Sequence, residues 1–196
     1  NIVIDSKKDK VWPMTSYGTV IKDSGKLCFV NRKGEIVIQP GDYDAGEMDK
    51  FNGLLALKDN SSDKWGVFDV STGKQVVSFK YDSISFAGTD RLVVVKDYVK
   101  NLINMSTGKS LYSAQTEATI EPFNSDTVTW VHTGKDAYTI IDNDGHVLFR
   151  DTNNIIEDVK SFNHGFSSVK SKGKWGVMNA KGEWVVQPTY EAVNIL

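Results

Sequence analysis

The sequence predicts an all-β protein made of five tandem antiparallel β-meanders. Three observations carry that prediction. A turn glycine with an Asn or Asp shortly before it recurs at Gly34, Gly73, Gly108, Gly145 and Gly182, so successive copies lie 39, 35, 37 and 37 residues apart. Other residue columns keep the same period. Inside each period, apolar and β-branched runs flank Gly-containing turns, whereas no window of a dozen residues sustains the i, i+3, i+4, i+7 spacing of an amphipathic helix.

The repeats run in order over about 4–42, 43–80, 81–119, 120–155 and 156–189, with a partial unit at 190–196. A Tyr or Ile followed by an acid opens each: Ile4-Asp5, Tyr43-Asp44, Tyr81-Asp82, Ile120-Glu121, Ile156-Glu157 and Tyr190-Glu191. A large aromatic follows, at Trp12, Phe51, Phe86, Phe123 and Phe162. Next comes an apolar run closed by a basic residue or histidine, at Ile21-Lys22, Leu57-Lys58, Val95-Lys96, Val131-His132 and Val169-Lys170.

Within a repeat, Trp65-Gly66-Val67-Phe68-Asp69 and Gln75-Val76-Val77-Ser78-Phe79 flank the turn Ser71-Thr72-Gly73-Lys74 and read as a β-hairpin. Gly73 supplies positive φ there at low steric cost. A run such as Leu92-Val93-Val94-Val95 adds a third strand, and Tyr81-Asp82-Ser83-Ile84 is the candidate fourth. Units this short cannot bury their own faces and must stack on neighbours. The whole chain, 1–196, is read as one repeat domain, with a five-bladed propeller-like ring favoured and an open twisted β-hairpin solenoid the alternative. The segment Tyr190–Ile195 fits both, as a strand that locks a ring or as a cap on an array.

Composition bounds the function. At 40% hydrophobic and 11% aromatic residues the chain can build a substantial core. Its 23 basic and 25 acidic residues are interspersed, which argues against a nucleic-acid footprint of clustered Lys and Arg. The one cysteine, Cys28, cannot form an intramolecular disulfide and reads as a buried, inert thiol. No apolar run approaches the roughly 18 residues that span a bilayer, so no transmembrane segment is expected. Nor does Asn1 open a leader of charged, apolar and small residues, and a start at Asn suggests upstream sequence removed by processing or by design.

The segments Lys64-Trp65-Gly66-Val67-Phe68-Asp69 with Thr72-Gly73-Lys74, and Lys174-Trp175-Gly176-Val177-Met178-Asn179 with Lys181 to Glu191, resemble the WG-repeat (KWG-repeat) family of bacterial proteins. The structural signature is Trp65, Gly66, Gly73, Trp175, Gly176 and Gly182. Leu27-Cys28, Lys100-Asn101 and Tyr138-Thr139 replace the Trp-Gly pair in the other repeats. The resemblance implies a binding or spacer module, often in surface or exported proteins. It carries over no catalytic residue and no ligand.

Trp65 and Trp175 read as packing residues, with the adjacent glycine letting a strand or ring approach closely. The acids Asp44, Asp82, Glu121, Glu157 and Glu191 read as acceptors for backbone amides at unit junctions; the alternative is convergence for cation binding or acid–base work. Asp142-Asn143-Asp144-Gly145 resembles the start of a calcium loop, but His146-Val147-Leu148-Phe149 resumes a strand, which favours a tight turn. His132, His146 and His164 lack metal-ligand spacing, and no GxSxG elbow or Walker loop is present. No metal or cofactor is therefore expected. Lys22, Lys58, Lys96 and Lys170 read as edge lysines that discourage strand pairing, with a weak surface for acidic polymers the alternative.

The expected function is non-catalytic binding within a larger bacterial, exported or surface protein, with a protein or glycan partner. Trp130, Tyr138 and Trp184 are the candidate ligand contacts because the repeat does not demand them, although core packing accounts equally for Trp130 and Trp184, which lie within strands. One alternative is a structural spacer between neighbouring domains. Another is a glycan-active enzyme with two carboxylates facing one another at about 5–10 Å.

Overall fold

Short apolar runs punctuated by turn residues fold into twenty strands and no helix among the described residues, which in this computed structural model are 8–49, 52–124, 126–133 and 136–195. The predicted positions Ile4, Asp5 and Phe51 lie outside them. The chain divides into two compact units, Asn1–Ser85 and Phe86–Leu196.

The first unit holds two sheets. Sheet one comprises β1 (Lys10–Val11), β2 (Gly18–Asp23), β3 (Lys26–Asn31) and β4 (Ile36–Gly41), and sheet two β5 (Tyr43–Asp49), β6 (Leu54–Asp59), β7 (Lys64–Asp69) and β8 (Gln75–Tyr81). Sheet three comprises β9 (Ser83–Gly88), β10 (Arg91–Lys96), β11 (Val99–Asn104) and β12 (Ser110–Gln115). The rest of the second unit holds sheet four, with β13 (Thr119–Ile120), β14 (Val128–Thr133), β15 (Asp136–Asp142) and β16 (Val147–Arg150), and sheet five, with β17 (Asp158–Val159), β18 (Phe166–Ser171), β19 (Lys174–Asn179) and β20 (Trp184–Tyr190). Each sheet is an antiparallel meander in chain order, so the glycine period marks one sheet per repeat.

The candidate fourth strand forms in every repeat, but not where Tyr81-Asp82 was expected to open it. Tyr81 closes β8, paired across the sheet with Trp65, and β9 begins at Ser83. The aromatic pair holds Tyr81 in the preceding sheet, which leaves Asp82 as the link.

The Trp-Gly signature has a backbone cause. Trp65 pairs with Tyr81 and Val67 with Val77, so residues 65–67 face the longer stretch 77–81. Sheet five repeats this bulge, with Trp175 opposite Tyr190 and Val177 opposite Val186. The bulged backbone fills the space above the glycine: a Cβ on Gly66 would lie 2.6 Å from the Val77 carbonyl oxygen, and one on Gly176 would lie 2.8 Å from Pro188 N. Where Cys28 replaces the glycine the bulge shortens, with Leu27 opposite Gly41 and Phe29 opposite Ile38. Where Asn101 and Thr139 replace it, pairing runs unbroken from Lys100 to Leu102 and from Thr139 to Ile140. Two of the three degenerate repeats thus lose the glycine together with the bulge that required it, and the Cys28 repeat keeps a shorter one.

Sheets stack through their apolar faces. In the first unit Val20, Leu27, Phe29 and Ile38 of sheet one meet Leu55, Leu57 and Phe68 of sheet two. In the second, Val93 and Leu102 of sheet three meet Val131 and Ile141 of sheet four, whose other face packs Trp130 and Ile140 against Val169 and Met178 of sheet five. Each fully buried side chain of this size contributes about 1.5–3 kcal/mol. The turn glycines complete these joints. At Gly73, Gly145 and Gly182 φ is positive, and a Cβ would strike Val37 of sheet one, Leu111 of sheet three and Phe149 of sheet four respectively. Asn31, Asp142 and Asn179 each accept two backbone amides through Oδ1, at 2.8–3.0 Å, which fixes the turns carrying Gly34, Gly145 and Gly182.

Candidate functional site

Sheet four departs most from the repeat signature, and its departures meet at a cavity. Where sheets two and five set Lys58 and Lys170 opposite Trp65 and Trp175, sheet four carries His132 and Tyr138. These two, with Glu121, Asp158, Val159, Lys160 and Ser161, line a space of about 430 Å³.

Backbone bonds hold this lining. Thr119 and Ile120 of β13 pair with His132 and Val131, the Glu121 amide donates to Trp130 O at 2.9 Å, and Thr129 Oγ1 donates to Glu121 O at 2.9 Å. On the opposite wall, the amides of Glu157 and Lys160 donate to Lys170 O and Ser168 O, and Ser167 Oγ donates to Lys160 O at 2.5 Å. Glu121 and Lys160 therefore stand on fixed main chain.

The side chains form a connected set. His132 Nε2 and Glu121 Oε1 are 3.3 Å apart, and the His132 ring stacks on Tyr138 at 5.2 Å and 22°. The Tyr138 hydroxyl donates to Glu157 O at 3.3 Å, which ties sheet four to the entry of sheet five. Lys160 Nζ lies 5.3 Å from the Trp175 ring centre and donates to Val193 O (3.1 Å) and Asn194 Oδ1 (2.8 Å). Ser168 Oγ also donates to Val193 O, so the segment after β20 lies against sheet five as a cap.

The candidate ligand contacts fall at different depths. Trp130 is 0% exposed, stacked on Phe162 at 5.4 Å, edge-on to Tyr138, with Nε1 donating to Ser167 Oγ at 2.9 Å. Its ring fills the layer between sheets four and five, where the small Ser167 leaves room. Tyr138 is buried and reaches the cavity wall. Trp184 is half-buried at the edge of the same core. The structure brings Trp130 and Tyr138 together, and of the three only Tyr138 lines the cavity. Asp158, Lys160 and Ser161 were not singled out from sequence, since they lie in the fifth repeat, which keeps Lys170 and Trp175.

The acid column is engaged within its own surroundings. Asp82 pairs with Lys64, Glu191 with Lys174, and Asp44 lies 3.9 Å from Lys22. Glu157 accepts the Gly173 amide at 3.1 Å, the backbone role expected of the whole column. The lysine of the Lys-Trp-Gly signature therefore meets the acid that follows the next strand. This contact holds Glu191 below the usual carboxylate range. In sheet three the basic column slips by one residue: Val95 faces Lys100, whose ammonium donates to Ala118 O.

Burial pushes the Cys28 thiol up, the opposite of an activated nucleophile. Among the described residues no three His, Cys, Asp or Glu side chains gather around a common metal position, and no helix is long and apolar enough to cross a membrane. A second opening, of about 340 Å³, lies in the first unit beside Trp12, Met14, Ala45, Met48 and Leu55 and is mainly apolar.

The structure is similar to solved β-propeller-like repeat proteins. They include the computationally designed Ika8 protein (13% identity, TM-score 0.52, covering 93% of this chain and 63% of that one) and KlHsv2 with loop 6CD replaced by a Gly-Ser linker (11%, 0.54, 91% and 66%). A eukaryotic initiation factor is a third (12%, 0.56, 93% and 55%). The chain thus spans less than two thirds of the length of each, and the likeness shows the fold alone. No curated protein matches the sequence. The model of the WG-containing repeat matches residues 29–61, 65–98 and 175–194. The Trp-Gly bulge lies at two of those places, where the chain is similar to the WG-containing repeat.

Proposed function

We propose that this chain is a non-catalytic binding module whose ligand contacts are made at the sheet-four and sheet-five cavity. The observation that carries the reading is the coincidence of the cavity with the repeat that has lost both the Lys and the Trp of the signature pair. Lys64, Trp65, Gly66, Lys174, Trp175 and Gly176 are used within their own sheets, whereas His132 and Tyr138 border open space. The engagement of the column acids in ion pairs and turn bonds supports a role without catalysis. The resemblance to bacterial WG-repeat proteins supports a place in a larger exported or surface protein.

The test is a screen of peptides and glycans, read by amide chemical-shift changes. Binding that perturbs Glu121, His132 and residues 158–161 is expected. A ligand that shifts only distant residues, or a screen with no binder, refutes the reading. The second reading is a structural spacer, favoured by the use of the signature residues for packing; it predicts the empty screen. Cleavage of a glycoside by the chain would overturn both.

A further inference from the structure

The cavity offers oxygens that the protein leaves without hydrogen-bond partners. Glu121 uses Oε1 toward His132, and Asp158 uses Oδ1 to accept the Val159 amide. Among the described residues, Glu121 Oε2, Asp158 Oδ2 and Ser161 Oγ take no hydrogen bond. The ammonium of Lys160 is drawn away by Val193 O and Asn194 Oδ1. A ligand that fits must therefore bring several donors. Bonds from hydroxyls to carboxylates are charge-assisted, and therefore among the stronger neutral–ion contacts.

Charge decides the ligand's own sign. Glu121 and Asp158 make this wall acidic, since the Lys160 ammonium is held at Val193 and Asn194. An anion would meet the two carboxylates, and among the described residues no further His, Cys, Asp or Glu gathers with them to hold a metal ion. Val159 and the Tyr138 ring add apolar surface beside the acceptors, which suits the C–H face of a saturated ring. The volume, about 430 Å³, lies in the lower part of the usual range for small-molecule sites.

We infer that the cavity bounded by Glu121, His132, Tyr138, Asp158 and Ser161 binds a neutral polyhydroxylated ligand of pyranose size, with the two carboxylates accepting its hydroxyls. This rests on the binding-module reading and names its ligand class.

The experiment titrates the full chain with a panel of neutral monosaccharides, with 1,4-diaminobutane as a cation, with inorganic phosphate as an anion, and with a peptide library, followed by ligand-observed NMR. Saturable binding of at least one neutral sugar is expected. Its Kd should rise about tenfold or more in Glu121→Gln and in Asp158→Asn, each of which removes a charged acceptor. Thermal melts of both variants establish that they remain folded, as the exposed Asp158 and half-buried Glu121 imply. Sugar binding unchanged in both variants, or saturation by the diamine or phosphate in place of sugars, overturns the inference. A peptide that binds at the cavity while every sugar fails overturns the polyol and leaves the module standing. No binder of any class removes both.

Discussion

Replacing Gly145 by alanine tests whether the turn glycine serves the joint between sheets or only its own turn. Gly145 and Gly108 occupy the same turn position in sheets four and three, with φ of +85° and +70°. A Cβ at Gly108 meets nothing within 4 Å, whereas a Cβ at Gly145 would sit 2.5 Å from the Leu111 carbonyl carbon and closer still to its oxygen. Alanine at either site bears left-handed strain of about 1–2 kcal/mol. At Gly145 the obstacle is main chain of β12, which cannot swing aside, so sheets three and four must separate, at a further cost of about 1–3 kcal/mol. Equilibrium unfolding in urea should therefore show Gly145→Ala less stable than Gly108→Ala by that margin. Asparagine separates the two causes, because it tolerates positive φ but carries the same Cβ. Gly108→Asn should be nearly neutral and Gly145→Asn still destabilised by about 1–3 kcal/mol. Equal losses at the two positions would refute the collision argument.

Ser167→Ala strands the buried Trp130 N–H and the Lys160 carbonyl, so a loss of about 1–3 kcal/mol is expected by chemical denaturation; a loss under about 0.5 kcal/mol would contradict it. At Asp142 burial raises the carboxyl pKa, but the His146 side chain and the amides of His146 and Asp144 outweigh it and hold the group below its ordinary value. A carboxylate depressed in the folded state stabilises above its unfolded pKa and loses that contribution as pH falls through the folded value, from about pH 4 downward. Asp142→Asn keeps the turn bonds that Asn31 and Asn179 make in the equivalent turns, so its stability should fall less between pH 7 and pH 3 than that of the parent. An identical decline in both proteins would count against this origin. Tyr98 is 90% exposed at φ +64°, in a hairpin position that sheets one and five give to Gly25 and Gly173. Tyr98→Gly should stabilise the chain by about 0.5–1 kcal/mol by relieving that strain, seen as a higher melting temperature; a lower one would show that the ring contributes to the fold.

The sheet boundaries were legible because the turn glycines and the Asn or Asp before them encode local geometry that needs no partner. The fourth strand was harder to place. Its pairing is set by the next strand and by Trp65 holding Tyr81, and three of its five copies are only two residues long in β1, β13 and β17. Glycine in the Trp-Gly pair was read as room for a close approach, but the identity of the approaching group, the bulged backbone of the following strand, depends on cross-strand register.

The candidate site divides in the same way. Tyr138 and Trp130 stand out in the sequence as aromatics and share the face toward sheet five, yet one also lines the cavity and the other only closes the core, because the small Ser167 receives Trp130 while Tyr138 reaches Glu157 at the entry of sheet five. Asp158 and Ser161 carry no local signal at all. Period, turn chemistry and strand content follow from the chain itself, since each depends on backbone preferences within a few residues. The joints between sheets, and the meeting of Glu121 and His132 with Asp158 and Ser161, arise only when neighbouring repeats bury their faces against one another.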